Sequence, residues 1–197
     1  PKKVRFIAFG GLAISDNNGE SFVRYSTVPV FERTEEASLF RVPHTVMLDN
    51  AKFKFWYGGG SSYIDGTNKT LPVYNIRYLE SNSLINIPDK GIEVLDTIDE
   101  EHRVGRPNVL KDNELFKMYF GFGSDKKPYQ LGYAESRDGK NWSRDDLKLG
   151  LPLSSSGWDS EMMAYPCVVK VNNKTYMFYN GNEYGKYGFG YAELVQE

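Results

Sequence analysis

Pro43-His44-Thr45-Val46-Met47-Leu48, followed by Asp49-Asn50-Ala51-Lys52 and then Phe55-Trp56-Tyr57-Gly58, is the stretch on which the fold of this 197-residue chain turns. A proline opens an apolar strand, polar residues turn the chain, and an aromatic strand returns to glycine, which is the pattern of a hairpin. It recurs from Pro107-Asn108-Val109-Leu110 through Lys111-Asp112-Asn113-Glu114 to Met118-Tyr119-Phe120-Gly121. A third copy runs from Pro166-Cys167-Val168-Val169 through Asn172-Asn173-Lys174 to Met177-Phe178-Tyr179-Asn180-Gly181. The prolines stand 64 and 59 positions apart.

A further strand follows each hairpin: Tyr74-Asn75-Ile76-Arg77-Tyr78-Leu79, Leu131-Gly132-Tyr133-Ala134 and Phe189-Gly190-Tyr191-Ala192, with a solitary copy at Gly10-Gly11-Leu12-Ala13-Ile14. Two of these strands lead into a turn with its own order of Ser, Asp or Asn, Gly and an aromatic. They are Ser136-Arg137-Asp138-Gly139-Lys140-Asn141-Trp142 and Ser15-Asp16-Asn17-Asn18-Gly19-Glu20-Ser21-Phe22. The short polar side chains close such a turn and Gly supplies the positive φ, so the motif is structural. Three or four short antiparallel strands per unit, repeated at this period, describe a β-propeller blade. The expected organisation is one all-β domain over 1–197: outer strands of a partial blade at 1–40, then blades at 41–97, 98–152 and 153–197.

Composition agrees. The chain has 14 Tyr, 12 Phe and 3 Trp beside 19 Gly and 9 Pro, which suits aromatic strands joined by tight turns and argues against a helical bundle. A net charge of -2 lacks the basic excess of a nucleic-acid binder. No apolar run has the length of a membrane-spanning helix, so neither nucleic acid nor membrane is an expected partner. The lone Cys167 lies in an apolar strand beside Val168 and is expected in the core. Cys and His spacing suggests no zinc site, and neither a metal nor another cofactor is expected. The start Pro1-Lys2-Lys3 is not followed by a signal-peptide apolar core, which fits a cytoplasmic location. The apolar segment Val4-Arg5-Phe6-Ile7-Ala8-Phe9 at the opening leaves room for a leader lost upstream.

Three stretches carry a family resemblance: Gly105-Arg106-Pro107-Asn108-Val109-Leu110, the Leu131 to Trp142 segment, and above all Gly157-Trp158-Asp159-Ser160-Glu161-Met162-Met163-Ala164-Tyr165-Pro166. They resemble the five-bladed propellers of glycoside hydrolase families 43 and 32, and more closely a bacterial branch found with surface-polysaccharide genes. The resemblance implies a glycosidase-like protein acting on, or derived from enzymes acting on, a bacterial poly- or oligosaccharide. It also implies about three and a half blades of five, with the first-blade Asp that serves as base or nucleophile having no counterpart here. The other readings are a non-catalytic carbohydrate-binding propeller and a fragment that forms a homo-oligomer through exposed blade edges.

Polar residues just upstream of the repeat prolines are the expected ring around the channel. They are Glu35, Glu36, Arg41 and His44 around Pro43; Glu100, Glu101, His102, Arg103 and Arg106 before Pro107; and Asp159, Glu161 and Tyr165 before Pro166. Glycoside hydrolysis needs two carboxyl groups across the scissile bond, one protonated and one ionised. Glu161 is the first candidate for general acid and Glu101 the second, with Asp159 orienting substrate or tuning that acid. Arg106 would grip a sugar hydroxyl or the carboxylate of an acidic sugar. Arg41, His44, Trp158 and Tyr165 complete the substrate-binding set, and Tyr184 could stack on a pyranose face. His44 and His102 also fit as satisfied core histidines, and Arg106 as a tie between blades. The run Gly58-Gly59-Gly60 lacks the Lys-Ser/Thr and helix of a phosphate cradle and is expected to be a loop.

Overall fold

The computed structural model describes residues 6–195. The basic start at 1–3 and the first two residues of the apolar opening segment lie outside that range. Two short strands, β2 (Ala13–Ile14) and β3 (Val23–Arg24), pair with each other after β1 (Ala8–Phe9). The long strands then form antiparallel meanders. The first is β4 (Phe40–Asp49), β5 (Lys52–Asp65), β6 (Thr70–Ser81) and β7 (Ile92–Leu95). The second is β8 (Glu101–Asp112), β9 (Leu115–Ser124), β10 (Gln130–Ser136) and β11 (Ser143–Arg144). The third is β12 (Ala164–Val171), β13 (Lys174–Asn180) and β14 (Phe189–Glu193).

The hairpins follow from turn chemistry. Asn50 and Ala51 have φ of 51° and 59°, and Asn172 and Asn173 have 48° and 65°, the doubly left-handed pair that matches the twist of two-residue hairpins. The Ser15 and Ser136 turns share one bonding scheme. The Gly19 and Gly139 N–H groups donate to Ser15 Oγ and Ser136 Oγ at 2.8 and 2.9 Å, and Asn17 and Asp138 accept from backbone N–H groups further on. Trp56 and Trp142 both donate to the Gly139 carbonyl, so this turn also ties the first meander to the second.

Successive meanders pack sheet on sheet. Trp56, Ile76 and Tyr78 of the first meet Val104, Met118 and Phe120 of the second, all fully or almost fully buried. Leu131 of the second packs with Met163, Val168, Met177 and Tyr179. Each Phe- or Met-sized side chain removed from water contributes about 1.5–3 kcal/mol. The inner strands are also latched: Thr45 Oγ1 donates to the Pro107 carbonyl and accepts from Val109 N–H, and Asn108 Oδ1 accepts from Val168 N–H. β1 runs parallel to β4, and β6 parallel to β8 at Tyr74–Arg103, which joins the first two meanders into one nine-stranded sheet. The fold is all-β and of the propeller type.

Two expectations are corrected. Cys167 is exposed, because Val168 takes the core-facing side of β12 and Cys167 points to the opposite face beside its cross-strand partner Phe178. Gly58, Gly59 and Gly60 stand inside β5, not in a loop. Their lack of a side chain is a packing requirement, since a Cβ at Gly60 would lie 2.2 Å from the Val73 carbonyl oxygen and one at Gly59 would lie 2.5 Å from Arg77 Cδ.

Candidate functional site

Each inner strand is bulged at its repeat proline. The register breaks between Pro43 and Thr45 in β4, between Gly105 and Asn108 in β8, and between Ala164 and Cys167 in β12. A bulge adds an unpaired residue and re-aims its side chain. Here the re-aimed side chains are His44, Arg106 and Tyr165, and all three line one cavity of about 450 Å³. That volume falls within the roughly 300–1,000 Å³ of small-molecule sites.

The remaining wall is aromatic and cationic. Tyr74 and Tyr129 share a hydroxyl–hydroxyl hydrogen bond, and Tyr129, Tyr165 and Tyr184 are in mutual ring contact at 5.9–6.1 Å between centroids. The Arg103 guanidinium lies 4.0 Å from the centroid of Tyr129, and that of Arg106 lies 4.2 Å from Tyr165. Lys69 also lines the cavity, and no Asp or Glu does among the described residues. Burial in the wall and the charge of Arg106 lower the His44 pKa to about 3, so its imidazole is neutral at pH 7. Burial raises the Tyr129 and Tyr165 hydroxyls above their ordinary range, leaving them as neutral hydrogen-bonding groups. Arg106, Tyr165 and Tyr184 have φ of 57°, 62° and 61°, a left-handed backbone that ordinary side chains avoid.

The other sequence candidates lie elsewhere. Arg41 is 2% exposed, 3.6 Å from Glu36, and donates to the Glu32 and Pro88 carbonyls. Glu36 also receives Tyr57 Oη–H and the Gly91 N–H, and is paired with Arg77 at 3.3 Å. Glu101 is held by both terminal nitrogens of Arg144 at 2.7 and 3.0 Å. Glu35 is exposed, and Glu100 pairs with Lys126 on the surface. His102 is buried, with Nδ1 2.7 Å from the Pro72 carbonyl oxygen. Asp159 is buried and accepts from Tyr179 Oη–H at 2.9 Å; burial first, and then this bond, push that hydroxyl's pKa up to about 12. Trp158 stacks on Tyr179 and packs against Gly181 and Gly190. Glu161 is exposed, and its backbone N–H is fixed by Asn182, two residues before the cavity-lining Tyr184. Tyr74, Tyr129 and Lys69 were missed in the sequence. Tyr74 opens a repeated strand and Tyr129 just precedes another, but the repeat does not mark which of their residues face the cavity, and only strand pairing brings them to it.

No protein-family model matches the chain. Uncharacterized protein Rv1502 of Mycobacterium tuberculosis is 32% identical over 185 residues, 93% of this chain. The chain spans about 60% of the length of the curated relatives it matches. Among solved structures, a glycoside hydrolase is similar over 100% of this chain and 59% of its own, with a TM-score of 0.69 at 17% identity. A thermostable family-43 glycoside hydrolase is similar over 95% of this chain and 63% of its own, at 0.68 and 16%. A Bombyx mori GH32 β-fructofuranosidase variant in complex with sucrose is similar over 100% of this chain and 42% of its own, at 0.64 and 17%. These likenesses define the class of fold, a propeller of the glycoside hydrolase kind.

Proposed function

We propose that this chain acts on a bacterial oligo- or polysaccharide, as a glycoside-hydrolase-like protein whose sugar site is the channel cavity. The observation that carries the reading is the match over the entire chain to a glycoside hydrolase at a TM-score of 0.69. The cavity chemistry supports it, because tyrosine faces suit pyranose rings and neutral His44 suits a sugar hydroxyl. No carboxylate lines the cavity among the described residues, and among those outside the lining Glu161 is the candidate general acid. It has no ion pair among the described residues and is tethered to the loop that brings Tyr184 into the cavity, whereas Glu101 is engaged by Arg144 and Asp159 by Tyr179.

The test is release of reducing sugar from bacterial oligosaccharides by the protein and by Glu161→Gln, with sugar binding measured in parallel. The expected result is a fall in hydrolysis of roughly a hundredfold or more with binding retained. Retained binding with no hydrolysis by the unaltered protein would overturn the enzymatic half and leave a carbohydrate-binding propeller.

A further inference from the structure

We infer that the cavity selects a sugar bearing an anionic group, whose oxygens are received by Arg103 and Arg106 while its ring lies against Tyr165 and Tyr184. The inference rests on the carbohydrate reading above and specifies the class of sugar.

The first ground is the distribution of charge. Three cationic side chains, Lys69, Arg103 and Arg106, line the cavity without an Asp or Glu among the described lining residues. Other arginines buried or half-buried in the sheets find carboxylates. Arg41 and Arg77 converge on Glu36, and Arg144 on Glu101 and Asp146. Arg103 does not, although it is only 6% exposed, and its Nε has no hydrogen-bond partner among the described residues. A buried cation without a counter-charge is costly, and an anionic ligand would remove that cost on binding.

The second ground is geometry. The two guanidiniums lie on tyrosine rings at 4.0 and 4.2 Å, which fixes their planes and favours their charge electrostatically. A planar fork held in this way matches an oxyanion with two or more acceptor oxygens. Arg106, Tyr165 and Tyr184 hold their side chains in the wall from left-handed backbone at an expense of order 1–3 kcal/mol each, and such strain gathers at ligand-clamping positions. Neutral His44 adds a hydrogen-bonding group beside these cations without adding a fourth charge.

A carboxylate on a uronic acid and a phosphate on a sugar share this chemistry, and calorimetry separates them. The probes are glucuronate and galacturonate against glucose and galactose, glucose 6-phosphate, and inorganic phosphate alone. The expected result is binding of at least one uronate roughly ten- to a hundredfold tighter than its neutral counterpart. The preference should shrink as salt rises and disappear in Arg106→Gln, whose side chain is exposed and whose loss leaves the core intact. Arg103→Met should also remove it, and a wild-type unfolding midpoint in either variant shows that the fold is retained. The His44 pKa, followed by NMR, should rise when the anion neutralises Arg106, and stay unchanged for a neutral sugar.

A preference seen only with glucose 6-phosphate supports the anion site and assigns it to phosphorylated sugars. Equal affinity for charged and neutral sugars overturns the inference while leaving the carbohydrate reading in place. Inorganic phosphate binding as tightly as any charged sugar also overturns it. Absence of binding by every sugar, together with absence of hydrolysis, defeats the carbohydrate reading itself.

Discussion

Arg41 and Arg103 occupy matching places in successive meanders. Each lies on an inner strand where that strand runs parallel to a preceding one, Arg41 beside Phe9 and Arg103 beside Tyr74. Each faces a glycine across its hairpin, Gly59 and Gly123, and each sets its guanidinium on an aromatic ring, Phe31 at 4.1 Å and Tyr129 at 4.0 Å. The difference lies in what completes the site. Around Arg41 the chain supplies Glu36 and two carbonyls, so the group is a clamp between the 32–36 segment, the 88–91 loop and β4. Around Arg103 it supplies tyrosines and a cavity. One repeated position thus closes an ion pair in one meander and faces a cavity in the next, according to whether a carboxylate arrives from elsewhere in the chain.

That contrast can be broken by experiment. The largest effect should come from Arg41→Met, which strips Glu36 of one of its two cations and is expected to destabilise the protein by about 3–5 kcal/mol in urea unfolding. Arg103→Met removes no ion pair among the described residues and should change stability by no more than about 1 kcal/mol. Equal losses in the two variants would defeat the distinction.

Acid should expose the cavity side of the contrast next. The folded-state pKa of His44 is lowered to about 3 by burial and Arg106, and that of His102 is lowered chiefly by burial. The unfolded chain therefore binds more protons than the native one below pH 6.5. Stability is complete above that pH and falls as pH drops towards the folded-state values. The slope is at most about 1.4 kcal/mol per pH unit for each histidine. Unfolding midpoints between pH 7.5 and 5 should show the fall, and His44→Gln should flatten it. A flat wild-type profile would sink this account of His44.

The smallest effect expected is from Arg106→Gly. Glycine relieves the left-handed strain at φ 57° but loosens the unfolded chain, for a net gain below about 1 kcal/mol in the same unfolding assay. A clear loss would mean that Arg106 is a tie between sheets rather than a residue held for a ligand.

Much of the fold was legible because hairpins and turns are local. Asn172-Asn173 favours its turn through backbone preference alone, and the Ser15 and Ser136 turns make matching hydrogen bonds from matching residues. The site was legible in part. His44, Arg106 and Tyr165 are marked by the repeat prolines and do meet in the cavity. The carboxylates near those prolines do not line it, because alternation along a strand and the exact place of a bulge decide which side chain turns inward. Glu101, five residues before the Arg106 bulge, meets Arg144 instead. Cys167 shows the same limit, since strand alternation does not reveal which face another sheet will cover.

The sequence by itself determined the repeated aromatic hairpins, their turns and an all-β propeller-type fold, since these rest on interactions between near neighbours and on a repeating period. Tertiary structure alone decided that Glu36 would neutralise Arg41, and that Lys69, Arg103 and Arg106 would gather around tyrosines without a carboxylate among the described lining residues. Those residues come from different strands, and the charge balance of a cavity depends on distances that only packing sets.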